Sequence, residues 1–290
     1  MKELIKIGTL VGGEQAVAWM PELIRHGFES IAISYFNSSG GADFAEIAKK
    51  LKDAIGDSGI TVSCVGVYCN PLRDEAGIKE WEKCIDNAGA FGAGIVTGFA
   101  GRLDDVPVDK NIPRFKEVFT ELGKRALDKG VKLTFENCYM GGDWRRGSWN
   151  IANNPLAWDM MFDAVPLDNI GIEWEPSHHM NYLRDPIAAL KKYISRVWHV
   201  HGKDANIDWD SIREFGIDGA RYYACDRFPG YGDTDWKQVL SILYKHGYKG
   251  TIDIEGYHDP YFKDELEFTA TVASLKYLKE CRGGEFITNP

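Results

Sequence analysis

The 290-residue chain predicts an α/β fold, a single (β/α)8 TIM barrel spanning residues 1–290 as one domain. Three observations carry that prediction. Eight short runs rich in β-branched and aromatic residues recur along the chain, and helix-period segments separate them. No Pro/Gly/Ser-rich linker or low-complexity tract divides the sequence. A barrel of eight strand-then-helix units needs about 250 residues. An open doubly wound sheet is the alternative, but no G-x-G-x-x-G loop follows the first strand.

In order, the strand candidates are LIKIGTL (4–10), FESIAIS (28–34), ITVSCVGVY (60–68), GIVTGF (94–99), VKLTFE (131–136), NIGIEW (169–174), RVWHVH (196–201) and GTIDIE (250–255). The crossovers between them are long enough for parallel pairing. ADFAEIAKKLKDAI (42–55) places Phe44, Ile47, Leu51 and Ile55 on one helix face. IKEWEKCIDNAGAF (78–91) and FKEVFTELGKRALDKG (115–130) behave alike, and the second stops at Lys-Gly. PLAWDMMFDAV (155–165) opens with proline, which suits a first helical turn. PIAALKKYI (186–194), WKQVLSILYKHG (236–247) and ELEFTATVASLKYLKEC (265–281) complete the series. The longest irregular segments, 137–154 and 202–234, both follow strands and are expected at the functional face.

Composition narrows the function. The chain is 44% hydrophobic and 12% aromatic, which supplies a core of the required size. A formal net charge of −9 argues against a broad nucleic-acid face. Six cysteines, at 64, 69, 84, 138, 225 and 281, form no C-x-x-C pair and read as reduced thiols. The opening MKELIKIGTLVGGEQ has too short an apolar run for a signal peptide. No run approaches the roughly 18 apolar residues of a membrane span. A cytoplasmic protein with no membrane or nucleic-acid partner is the expectation.

The barrel gives the strand ends a meaning, because catalytic groups collect at the carboxyl-terminal ends of strands. Strand five ends in Glu136, strand six in Glu175, strand seven in His201 and strand eight in Glu255. Three carboxylates converging there would repel one another without a cation. One divalent ion offsets most of that charge, Mn²⁺ first, with Mg²⁺, Co²⁺ or Zn²⁺ also compatible with carboxylate and imidazole ligands. Side chains two apart on a strand share a face, so Thr134, Glu173, His199 and Asp253 are expected to point inward as well. His199 is then expected to bond Glu173 or Asp253, a layer that orients the ligands from below.

FENCYM (135–140), NIANNPLAWDMMFDAVP (150–166), NIGIEWEPSHH (169–179), HVHGKDA (199–205), PGYGDTDW (229–236) and GYKGTIDIE (247–255) follow one another in this order, with CNPL (69–72) and TGFAGR (97–102) ahead of them. Together they resemble the xylose isomerase-like TIM-barrel proteins, the sugar phosphate isomerase/epimerase family, over nearly the whole chain. The resemblance implies metal ligation by Glu136, Glu175, His201 and Glu255, with Glu136 and Glu255 also acting as acid and base. It implies a substrate contact at His178. Two departures stand out. Glu175 occupies a position that is usually Asp, and an arginine found in related epimerases six residues past the ligand histidine is Ile207 here.

Metal-bound carbonyl and hydroxyl oxygens would stabilise the enediolate formed when the neighbouring carbon loses its proton. Proton return to the other face gives epimerisation, and return to the adjacent carbon gives aldose–ketose isomerisation. The reading is therefore a divalent-metal sugar isomerase or epimerase acting on a keto sugar or related polyol ketone. The alternative is a lyase or dehydratase acting on an oxidised (3-oxo) sugar or glycoside. Further substrate contacts are expected from Asn137, Lys203 and Arg102, with Arg145 and Arg146 as other anion-binding candidates. Trp144 and Trp149 could form a lid. A small-molecule carbohydrate is the expected partner, and a homo-oligomer the expected assembly. A DNA-repair nuclease of this fold would need a His- and Asp-rich metal cluster and a polyanion groove. A non-catalytic sugar-binding protein would not need all four ligands.

Overall fold

The computed structural model describes residues 4–219 and 221–284. All eight expected strands are present and close into one barrel. They are β1 (Lys6–Gly12), β2 (Ser30–Phe36), β3 (Thr61–Tyr68), β4 (Ile95–Gly98), β5 (Lys132–Glu136), β6 (Ile170–Trp174), β7 (Val197–Gly202) and, closing the ring, β10 (Thr251–Ile254). The order is β1-β10-β7-β6-β5-β4-β3-β2, and the barrel pairs are parallel. Among the described residues, two strands lie outside it. β8 (Asp204–Ile207) and β9 (Ala224–Arg227) form an antiparallel pair above the ring, flanking the short helix α8 (Trp209–Phe215). The segment 202–234 is therefore partly ordered as a hairpin rather than irregular. DANI and ACDR are too short and too mixed in polarity to show strand alternation.

The outer helices are α1 (Ala16–His26), α2 (Phe44–Ile55), α3 (Glu75–Asn87), α4 (Val108–Asp128), α5 (Pro155–Ala164), α6 (Ser177–Met180), α7 (Pro186–Tyr193), α9 (Trp236–Lys245) and α10 (Glu267–Arg282). Aspartate or asparagine caps start several of them. Asp43 accepts from the Glu46 amide, Asp74 from Gly77, Asn154 from Leu156 and Asp235 from Gln238. Sequence periodicity did not reveal α1, because Pro21 interrupts it; Ala16, Met20 and Leu23 still face the core. Helix α4 starts at Val108 rather than at 115, with Pro113 inside it. Asn111 secures that early turn by accepting from the Leu103 amide at 2.7 Å and donating to the Pro107 carbonyl at 2.9 Å.

The apolar core fills the space between strands and helices. Phe119 meets Phe135 edge-on at 4.7 Å and Trp81 at 5.3 Å, both geometries favoured by ring quadrupoles. Inside the barrel the filling is polar instead. Gly8 makes this possible, because a Cβ there would lie 2.1 Å from Asp253 Oδ1. The last helix is bolted to the first strands through Glu29. Its Oε2 accepts from Arg282 Nη1 at 2.6 Å and from the Ile7 amide at 2.8 Å, and Oε1 lies 3.2 Å from Lys279. Burial opposes the Glu29 charge, but these partners hold its carboxyl below the usual range. All six cysteines are free thiols, and among the described residues no helix is long and apolar enough to cross a membrane.

Candidate metal centre

Parallel pairing of the barrel strands delivers four side chains to one point at the carboxyl-terminal mouth. Glu136 ends β5, Glu175 follows β6, His201 lies in β7 and Glu255 follows β10. All four are buried, and each offers a ligand atom within 4.8 Å of the others. His201 Nδ1 is the hub. It lies 2.9 Å from Glu255 Oε2, 3.1 Å from Glu136 Oε1 and 3.5 Å from Glu175 Oε2.

One proton on Nδ1 serves only one of these oxygens. Oε2 of Glu175 and Oε2 of Glu255 are buried without a hydrogen-bond donor among the described residues. Such orphaned, charged acceptors are costly unless a cation meets them. Three carboxylates and one imidazole, with no thiolate, fit a divalent ion that prefers oxygen ligands. The electrostatics within the cluster are uneven. Burial pushes the Glu136 and Glu175 carboxyls up, with Glu255 adding to the rise, while His201 offsets part of it. Burial also works against Glu255, but Lys203 and His201 hold its carboxyl well below the usual range.

A second polar layer lies beneath. His201 Nε2 is 3.2 Å from Glu173 Oε1, an acceptor that favours a proton on Nε2 and would free Nδ1 for a cation. The Tyr68 hydroxyl donates to Glu173 Oε2 at 3.0 Å. His199 bridges two carboxylates, with Nδ1 2.6 Å from Glu173 Oε1 and Nε2 2.6 Å from Asp253 Oδ2. Ser30 and Thr251 donate to Asp253 at 2.6 and 2.7 Å. Burial opposes a charge on His199, yet Cys64, Asp253 and Glu173 together raise its pKa well above the ordinary value. The register shift between β6 and β7 pairs Ile172 with Val197 and Glu173 with His199, so Trp198 is the bulged residue. His199 and His201 consequently stay on the inner face.

The remaining sequence candidates divide. His178 Nε2 lies 3.1 Å from Glu175 Oε1, and its buried Nδ1 has no hydrogen-bond partner among the described residues. Lys203 donates to Glu255 Oε1 at 2.9 Å and lies 4.0 Å from Glu175 Oε1. Asn137 uses both ends of its amide on the Glu175 backbone, at 2.7 and 2.9 Å. Arg102 is fully buried, and its guanidinium nitrogens donate to the carbonyls of Val106, Asp143 and Trp144. The structure thus uses Asn137 and Arg102 as braces of the neighbouring backbone. Asp204 is a brace too, accepting from the Thr234 amide and Trp236 Nε1, each at 3.0 Å. His179 packs edge-on against Trp158 with both ring nitrogens unpartnered among the described residues, and burial pushes its pKa down to about 3. Trp149 packs on Tyr68, Phe99 and Cys138 and stacks with Phe36, while Trp144 packs on the main core.

Four residues at the site lay outside the sequence reading. Tyr68 shares the inner face of β3 with Cys64, so strand alternation could have found it. Ser177 donates its hydroxyl to Glu175 Oε1, and its place inside EPSH was the available signal. Asn70 donates to the carbonyls of Arg102 and Ser148, both at 2.7 Å, and Asn150 to those of Glu136 and Cys138, at 2.9 and 2.8 Å. Loop asparagines of this kind carry no periodic signal.

This barrel and its cluster define the class. The chain belongs to the xylose isomerase-like TIM barrel family, whose model matches residues 21–281. Inosose dehydratase from Clostridium perfringens is 27% identical over 169 residues, which is 57% of this chain and 52% of that protein. The chain therefore spans about half the length of that relative. An inosose dehydratase from Bacillus cereus (strain AH820) is 25% identical over an alignment covering 97% of this chain and all of that protein. Among solved structures, a 3-keto-D-glucoside 4-epimerase from E. coli superposes with a TM-score of 0.70 at 18% identity, covering 96% of this chain and 100% of that one, which shows a shared fold. These matched proteins carry enzyme names.

Proposed function

We propose that this chain is a divalent-metal-dependent sugar isomerase or epimerase that acts on a keto sugar or related polyol ketone through an enediolate. The observation that carries the reading is the disposition of Glu136 and Glu255. They approach His201 Nδ1 at 3.1 and 2.9 Å from strands on opposite sides of β7. A ligand held among them would have a carboxylate oxygen available on each side, which is what removing a proton and returning it elsewhere requires. The cation that Glu136, Glu175, His201 and Glu255 would hold, Mn²⁺ first, supplies positive charge beside the substrate oxygens. Lys203 keeps Glu255 charged and oriented. His178 offers its unpartnered Nδ1 to a substrate hydroxyl.

A second reading is a lyase or dehydratase on an oxidised sugar or 3-oxo-glycoside. Two observations favour it. The relatives from C. perfringens and B. cereus are named inosose dehydratase. Lys203 Nζ also stands 2.9 Å from Glu255, so a proton donor adjoins the base, as loss of a hydroxyl or aglycone would use. The acidic balance of −9 supports a small carbohydrate rather than nucleic acid as partner. The free thiols fit a cytoplasmic location. Exposed Ile217 and Tyr222, at 61% and 99%, support self-association into a homo-oligomer.

Incubating the manganese-loaded protein with a panel of keto sugars in D₂O tests both readings. Deuterium entering beside the carbonyl, with an epimer or isomer as product, is the expected result by proton NMR. Release of water or an aglycone transfers the assignment to the lyase. Absence of exchange across ketoses, 3-oxo-sugars and inososes would remove both.

A further inference from the structure

A cavity lies at the other end of the barrel, away from the carboxylates. It encloses about 740 Å³ at the amino-terminal mouth and is lined by Lys6, Lys132, Lys249, His246, Trp198 and Tyr248, among others. Among the described residues lining it, none is acidic. The chain as a whole carries a net charge of −9.

Among the described residues, no carboxylate forms an ion pair with these lysines. Lys6 Nζ donates to the Gly59 carbonyl and to Thr61 Oγ1, both at 3.1 Å and both uncharged. Lys132 Nζ rests 4.5 Å from the centroid of the Trp198 ring, a cation–π contact. Lys249 is exposed on the loop before β10. Lysines at the bottom of a barrel often complement helix carboxyl-terminal dipoles. Lys6 and Lys132 do not fit that explanation. They begin β1 and β5, share the inward parity of Gly8 and Thr134, and stand opposite each other in the ring.

The mouth is also shaped. The bulge in β7 turns Trp198 onto β6, where Gly171 leaves room for it. A Cβ at 171 would lie 2.7 Å from the Trp198 ring and 2.4 Å from the Arg196 carbonyl. A matching shift between β2 and β3 pairs Ile31 with Val62 and Ala32 with Cys64, bulging Ser63 at the same mouth. Bulges re-aim side chains where a strand pair would otherwise continue. Here they leave an open, cation-lined recess floored by an indole and flanked by a hydroxyl.

We propose that this amino-terminal mouth is a binding site for a phosphate group, separate from the metal centre. Lys6, Lys132 and Lys249 supply the charge, and Trp198 holds Lys132 in place. Free phosphate and the phosphate of a small metabolite share this chemistry, so both are probes. Calorimetric titration of the magnesium-loaded protein with inorganic phosphate, and separately with glucose 6-phosphate, should give saturable binding that weakens as NaCl is raised. Affinity for both probes identifies a general phosphate site; affinity for glucose 6-phosphate alone identifies a metabolite site. The combined variant K6Q/K132Q/K249Q should lower affinity about tenfold or more, while its metal uptake and circular dichroism stay as in the parent. K132Q alone, a change at an exposed side chain, serves if the triple variant folds poorly. Failure of both probes to bind overturns the proposal. Equal affinity in the variants overturns it as well, because the phosphate would then sit at the metal or elsewhere.

Discussion

Replacing Glu255 with glutamine should lower kcat by about 10²–10⁴-fold on any substrate the protein turns over, the range seen when a general acid or base is removed. The amide keeps the volume of the side chain but removes its charge and its capacity to take a proton. It also strands Lys203. That ammonium is 2% exposed and donates to Glu255 Oε1 at 2.9 Å; its next carboxylate, Glu175, is 4.0 Å away. Breaking a buried pair from one side costs about 3–5 kcal/mol. The variant should therefore melt at a lower temperature as well as turn over slowly. Steady-state kinetics and a thermal melt read the two effects separately. A kcat within tenfold of the parent would remove Glu255 from the chemistry, and an unchanged melt would mean that the Lys203 pair contributes little.

Glu173→Gln should weaken divalent-metal affinity by about 10–100-fold although Glu173 faces away from the mouth. Its carboxylate lies 3.2 Å from His201 Nε2, 2.6 Å from His199 Nδ1 and 3.0 Å from the Tyr68 hydroxyl. The acceptor at Nε2 favours the His201 proton there, which would free Nδ1 for a cation. An amide can turn its NH₂ toward either ring and thereby favour the wrong tautomer. It also leaves His199 with Asp253 as its one carboxylate partner. Manganese titration followed by electron paramagnetic resonance measures the change directly, whether or not a substrate is known. Parent-like affinity would mean that Glu173 is only filling the barrel interior.

Much of this arrangement was legible in the sequence because buried parallel strands are continuous apolar runs, and a polar residue ending such a run stands out. Glu136 after KLTF and His201 after VWHV are of that kind. Alternation then placed Glu173, His199 and Asp253 one layer below, and the Trp198 bulge falls just before His199, so the inner face is preserved. What the sequence concealed has physical causes. Pro21 broke the period of α1. The β8–β9 pair is too short to alternate. Arg102 looked like an anion ligand, but its loop folds so that backbone carbonyls surround it, and the path of a non-periodic loop is not encoded in spacing. Asn70 and Asn150 escaped for the same reason: their amides tie loop to loop, and nothing in their neighbours' identity announces it. The cation-lined lower mouth depends on two bulges and on Gly171, features that become visible only in register.

The central claim is that three buried carboxylates and His201 share one divalent ion. Stripping the protein with chelator, adding manganese in measured steps and counting bound ions tests it most directly. The account predicts saturation at about one ion per chain, with uptake abolished in a Glu136→Gln/Glu175→Gln double variant that retains its circular dichroism. A parent protein that binds no ion in excess manganese, or a double variant that binds it equally well, would contradict it.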